Sequence, residues 1–87
     1  MSGLQVGEVH FQVWPQDHEP RHVHAFIGSG EVIVDLRADG TVDLANRKDA
    51  IRGSVKRSEI HKVLQAADKH FHELAAKWEE MHHGTDR

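Results

Sequence analysis

The hydrophobic period of the chain changes once, near Lys56, and this change restricts the fold more than any other feature. Upstream, Val9, Phe11 and Val13 alternate with Glu8, His10 and Gln12, and Val23, Ala25 and Ile27 alternate with His22 and His24. Successive side chains of a strand point to opposite faces, so this spacing predicts strands with one apolar face. Turns at Gly28-Ser29-Gly30 and Ala38-Asp39-Gly40 delimit two more strands, about 31–37 and 41–45. Downstream, Ile60, Val63, Leu64, Ala67, Phe71, Leu74, Ala75 and Trp78 recur at helical spacing and make one apolar stripe. The expected fold is α+β: a four-stranded antiparallel meander covered on one face by a single C-terminal amphipathic helix.

At 87 residues the chain is one domain, with strands within 8–45, a linker over 46–55, a helix over about 56–81 and a frayed tail over 82–87. Ser58 or Ser54 is the expected N-cap, and Gly84 the expected stop. Shared faces set the register. Phe11 pairs with Ala25, a Ser29-Gly30 turn sets Ala25 against Val34, and Gly40 in the left-handed position sets Leu36 against Val42. The expected core holds Phe11, Val23, Ala25, Val34, Leu36, Leu44, Leu64, Phe71 and Leu74. The opposite face then carries the rows Gln12, His24, Asp35, Asp43 and His10, Phe26, Ile33, Ala45.

No apolar run approaches the ~18 residues of a membrane span, and the first residues carry neither block of a secretory signal, so a cytoplasmic protein without membrane contact is expected. With no cysteine, disulfides, thiol catalysis and cysteine-based zinc sites are excluded, and a transition metal would rest on imidazoles and carboxylates. Imidazole is abundant, with nine scattered histidines. The segment from Asp17 to His24 concentrates three of them with Asp17, Glu19, Pro20 and Arg21. His22 and His24, two apart on a strand, point to one side, and His18 can fold back as a third ligand. Asp35 is the expected carboxylate, since in the assigned register it lies opposite His24, which offsets the repulsion between Asp35 and Asp43 by protonating or by sharing a cation. Zinc or another divalent ion fits this set of His18, His22, His24 and Asp35, with hydrolytic or nuclease-like chemistry as its consequence. The same residues also suit a loop stiffened by Pro20 and imidazole hydrogen bonds, with no cofactor required.

Asp17-His18-x-Pro20-x-His22-x-His24 at the entry to a strand, a short glycine-punctuated meander, and Glu73-Leu74-x-x-x-Trp78 in a final helix resemble the small bacterial family of unknown function numbered four-one-six-zero. The likeness spans about Val9 to Trp78 and marks His18, Pro20, His22, His24 and Trp78 as signature positions. Where family members commonly carry a second proline, this chain has Arg21. The resemblance implies no activity. It implies a small prokaryotic protein, sometimes encoded beside another small domain in arrangements suggestive of toxin-antitoxin-like or regulatory pairs.

Three functional readings follow. The first is a non-enzymatic binding or regulatory module that meets a protein partner, or a second copy of itself, through Trp14, Phe26 and Ile33, apolar residues expected on the outer face. The second is the histidine metal site. The third is weak nucleic-acid binding. Although the net charge is -3, residues 47–62 carry Arg47, Lys48, Arg52, Lys56, Arg57 and Lys62 against two carboxylates, a local excess that suits salt-sensitive contact with phosphates. The histidines at 61, 70, 72, 82 and 83 are read as surface residues.

Overall fold

The computed structural model describes residues 2–82. Along the chain it forms β1 (Ser2–Val6), β2 (Val9–Val13), β3 (His22–Ile27), β4 (Gly30–Leu36), β5 (Val42–Leu44), β6 (Ile51–Arg52), α1 (Arg57–Lys69) and α2 (Phe71–His82). The fold is α+β, as the period change requires. The sheet is antiparallel and runs β1-β2-β3-β4-β5, with β6 also pairing β4. The meander therefore has five strands rather than four. The added strand, β1, pairs Leu4 with Phe11 and Val6 with Val9 across the tight turn at Gly7.

Which residues face the core follows the alternation, whereas one register does not. Phe11 pairs with Ala25, and Leu36 with Val42, as the sequence implies. Between β3 and β4, Ala25 meets Val32 and Val23 meets Val34, a displacement of two residues from the expected pairing. The turn explains the displacement. Gly28, not Gly30, takes the positive φ of +56°, so the hairpin closes on Gly28-Ser29 with Ile27 opposite Gly30, and glycine at the first central position is what such a two-residue turn favours. Gly40, at φ +90°, closes the next hairpin where it was expected to.

One face of the sheet packs under both helices. Val63, Ala67, Phe71, Leu74 and Trp78 are buried against Val9, Phe11, Val13, Val23, Ala25, Ile27, Val32, Val34 and Leu36. Leu44 and Leu64, assigned to the core from sequence, lie at its margin and are only partly buried. The expected single helix is two. His70 leaves helical geometry at φ -109°, ψ 26°, while its carbonyl accepts the Leu74 N–H at 3.0 Å, so α2 restarts at once. On either side of this break, α1 lies toward β4 and β5, and α2 toward β1, β2 and β3.

Neither Ser58 nor Ser54 caps α1. Lys56 is the N-cap, and the Glu59 carboxylate accepts its backbone N–H at 2.8 Å, satisfying a donor that the helix leaves free. The expected roles of Gly84 and His83, and the tail after His82, lie outside the described residues. His82 itself closes the last turn of α2 rather than opening a frayed tail.

The other face holds a second, smaller cluster that corrects the expected exposure of Ile33. Ile33 is fully buried against Ala45 and Ala50. The segment expected to be a linker returns across β4 instead: Ile33 N–H donates to the Ala50 carbonyl at 2.7 Å, and Ala45 N–H to the Ile33 carbonyl at 2.9 Å. An isoleucine on the outer face of a central strand exposes apolar surface, and two alanines laid over it remove that surface from water.

Candidate metal centre

His22 and His24 project from β3 beside the loop that connects it to β2. The strand fixes their backbones, and each ring is oriented by a hydrogen bond from Nδ1. In His22 the Nδ1–H donates to the Pro20 carbonyl at 2.8 Å, after a cis Glu19–Pro20 peptide. In His24 it donates to Glu31 Oε2 at 2.6 Å. A ring that carries its proton on Nδ1 alone presents a lone pair at Nε2, and His24 Nε2 stands at hydrogen-bond distance from Asp17 Oδ2. Both Nε2 atoms face one carboxylate oxygen, Asp17 Oδ2, at 3.4 Å from His22 and 3.1 Å from His24. The three ligand atoms lie within 4.8 Å of one another.

Burial makes this arrangement consequential. His22 is 6% exposed, and its Nε2 is out of contact with water and has no hydrogen-bond partner. A lone pair opposite a carboxylate oxygen in such a place is repulsive until a proton or a cation comes between them. One proton can serve one ring; one divalent ion can serve both. Ligands ~2.0–2.1 Å from a tetrahedral zinc ion stand roughly 3.3 Å apart, and the separations of 3.4 and 3.1 Å from Asp17 Oδ2 bracket that distance. The Glu31 carboxylate holds the His24 ring by Nδ1, which fixes the ring's orientation and leaves Nε2 on the Asp17 side.

The loop is tied down from several sides. Asp17 N–H donates to the Trp14 carbonyl at 3.2 Å. Arg21 donates to the Leu36 and Arg37 carbonyls at 3.2 Å each and lies 5.4 Å from the centre of the Phe71 ring. It thereby cross-links the loop to β4 and α2. A cleft of about 560 Å³ opens beside the centre, lined in part by Asp17, His18, His22, Asp35 and Arg47.

The ligand set read from sequence is partly gathered here. His22 and His24 converge, while His18 and Asp35 line the neighbouring cleft outside the group of three. Asp35 lies opposite His22 rather than His24, a consequence of the two-residue displacement in register. Asp17, which completes the group, was visible as a loop carboxylate next to His18, but no periodicity governs where a loop residue points.

The apolar trio is divided: Phe26 is exposed, Trp14 is half-buried with its ring edge-on to His24 at 6.3 Å, and Ile33 is buried. In the basic segment, Arg47 and Arg52 both pair with Asp49, and Lys62 pairs with Glu8 at 2.7 Å, while Lys48, Lys56 and Arg57 are exposed. His82, read as a surface residue, instead stacks on Trp78 with ring centres 3.8 Å apart.

A family model described as a domain of unknown function, DUF4160, matches residues 8–79. The chain belongs to this family. The DUF4160 span contains Asp17, His22, His24, Glu31 and Trp78, and leaves β1 and His82 beyond its ends. No curated protein and no solved structure matches the chain. Among the described residues, no helix is long and apolar enough to cross a membrane.

Proposed function

We propose that this chain is a metal-binding domain that holds one divalent transition-metal ion, zinc foremost, on Asp17 Oδ2, His22 Nε2 and His24 Nε2. The observation that carries the reading is the buried His22 Nε2, which has no hydrogen-bond partner and lies 3.4 Å from a carboxylate oxygen. Two imidazoles and one carboxylate favour zinc or a similar ion over calcium or magnesium, which prefer all-oxygen shells. Three protein ligands leave a position open, and an ion so held supplies Lewis acidity to water or to a bound oxygen, which is the basis of metal-assisted hydrolysis. A partner surface has less support, because the burial of Ile33 removes one of the three residues on which it rested.

Zinc titration of the tag-free protein by calorimetry tests the proposal, with His22→Ala and the His61→Ala/His72→Ala double variant alongside. His61 and His72 are exposed residues of the two helices and serve as controls. The expected result is one equivalent bound by the wild type and the double variant, at least ~100-fold weaker binding by His22→Ala, and weaker binding at pH 5.5 than at pH 7.5, since protons compete for the ligating nitrogens. Equal binding by wild type and His22→Ala, or no binding tighter than ~1 mM, overturns the proposal.

A further inference from the structure

Asp17 is the one member of the centre that no strand holds in place. His22 and His24 are fixed by β3 and by their Nδ1 bonds, whereas the Asp17 carboxylate stays within 3.1 to 3.4 Å of them only while its loop keeps its course. Besides the local Asp17-Trp14 bond, the loop backbone at Asp17 is held by an atom far along the chain. His82 Nε2 lies 2.9 Å from the Asp17 carbonyl, across 65 residues of sequence. His82 is itself located by the Trp78 indole, to which its ring lies nearly parallel, at 22°, and a ring that carries its proton on Nε2 donates to the Asp17 carbonyl. The indole, 2% exposed, has its ring centre 5.3 Å from that of His22. One wall of side chains thus runs from the end of α2 to a ligand, and the same helix end also grips the backbone of a second ligand.

We infer that His82 is a positioning residue for the metal centre, and that ion binding and docking of the last turn of α2 are coupled through it. This rests on the metal reading. A hydrogen bond that pre-sets a ligand removes an ordering cost that the ion would otherwise meet, and coupling between two events is reciprocal. The ion should therefore stabilise the end of α2 to the extent that the docked end strengthens the ion.

The test combines zinc titration with amide hydrogen exchange in wild type, His82→Ala and His82→Gln; glutamine can place an amide N–H2 near the position of Nε2. His82→Ala should bind zinc ~10- to 100-fold more weakly, the range for removing an outer-shell partner, and His82→Gln should recover most of the loss. Zinc should slow exchange at residues 78–82 in the wild type and leave His82→Ala unchanged there. A Trp14→Phe background isolates the Trp78 emission, which zinc should alter in the wild type more than in His82→Ala. Wild type that binds zinc while His82→Ala binds equally well and keeps the same exchange response overturns the coupling and leaves the metal centre standing. Wild type that does not bind zinc overturns both. Failure of His82→Gln to recover affinity, with its fold intact, overturns the hydrogen bond as the link.

Discussion

Two groups of charged and ionisable side chains meet at Glu31 and behave in opposite ways. On one side, Asp17, His22, His24 and Glu31 have side chains only 8 to 19% exposed. On the other, Arg47, Asp49 and Arg52 are 40 to 53% exposed. Arg52 reaches Glu31 at 3.7 Å and so touches both groups. In the exposed group each charge has water as an alternative partner, so pairing changes little. In the buried group an unpaired atom cannot turn to water, so His22 Nε2 and Asp17 Oδ2, 3.4 Å apart, are relieved only by a proton or a cation between them. The number of charged contacts is similar on the two sides; desolvation decides which of them has consequences.

The largest effect should come from removing the floor of the buried group. Trp78→Ala takes a fully packed indole from the core and from beneath His22, and should cost ~3–5 kcal/mol in urea unfolding. A loss below ~1 kcal/mol would show that the corner does not depend on α2. Next in size is Glu31→Ala, which frees His24 Nδ1 and should weaken zinc binding ~10- to 100-fold. Asp49→Asn, across the Arg52 bridge, should leave zinc affinity within about twofold, as exposed pairs are weakly felt. Comparable losses from the two would erase the contrast between the groups.

The smallest effect concerns protons. Bonds from Arg47 and then Arg52 hold the Asp49 carboxyl down at about 2. A lowered folded-state value stabilises the fold above the ordinary aspartate range, and that contribution is lost as the pH falls through about 2. The carboxyl resonance of Asp49 should titrate near there by NMR and move up toward the ordinary range in Arg47→Ala/Arg52→Ala. By the same linkage, the urea midpoint of that variant at neutral pH should fall slightly, to the extent that the resonance moves up.

Faces were easier to read than partners. Parity places Phe11, Val23, Ala25 and Val34 inward whatever the register, because a two-residue displacement preserves the face while changing the neighbour opposite. The same invariance hid the true neighbours of His22 and His24, and made Asp35 the expected carboxylate. Leu4 and Val6 repeat the period-2 pattern ahead of Gly7, so β1 was legible in principle. Ile33 was not, since its cover comes from Ala45 and Ala50, too small to announce a core. Asp17 and His82 reach the centre through a loop and a helix end, and only tertiary packing brings them together.

The central claim is that one ion sits between Asp17, His22 and His24. Crystals of the tag-free protein grown with zinc, with anomalous diffraction recorded on both sides of the zinc edge, test it directly. The account predicts a single strong peak ~2.0–2.2 Å from Asp17 Oδ2, His22 Nε2 and His24 Nε2. No peak there, or peaks only on exposed histidines such as His61 and His72, would contradict it.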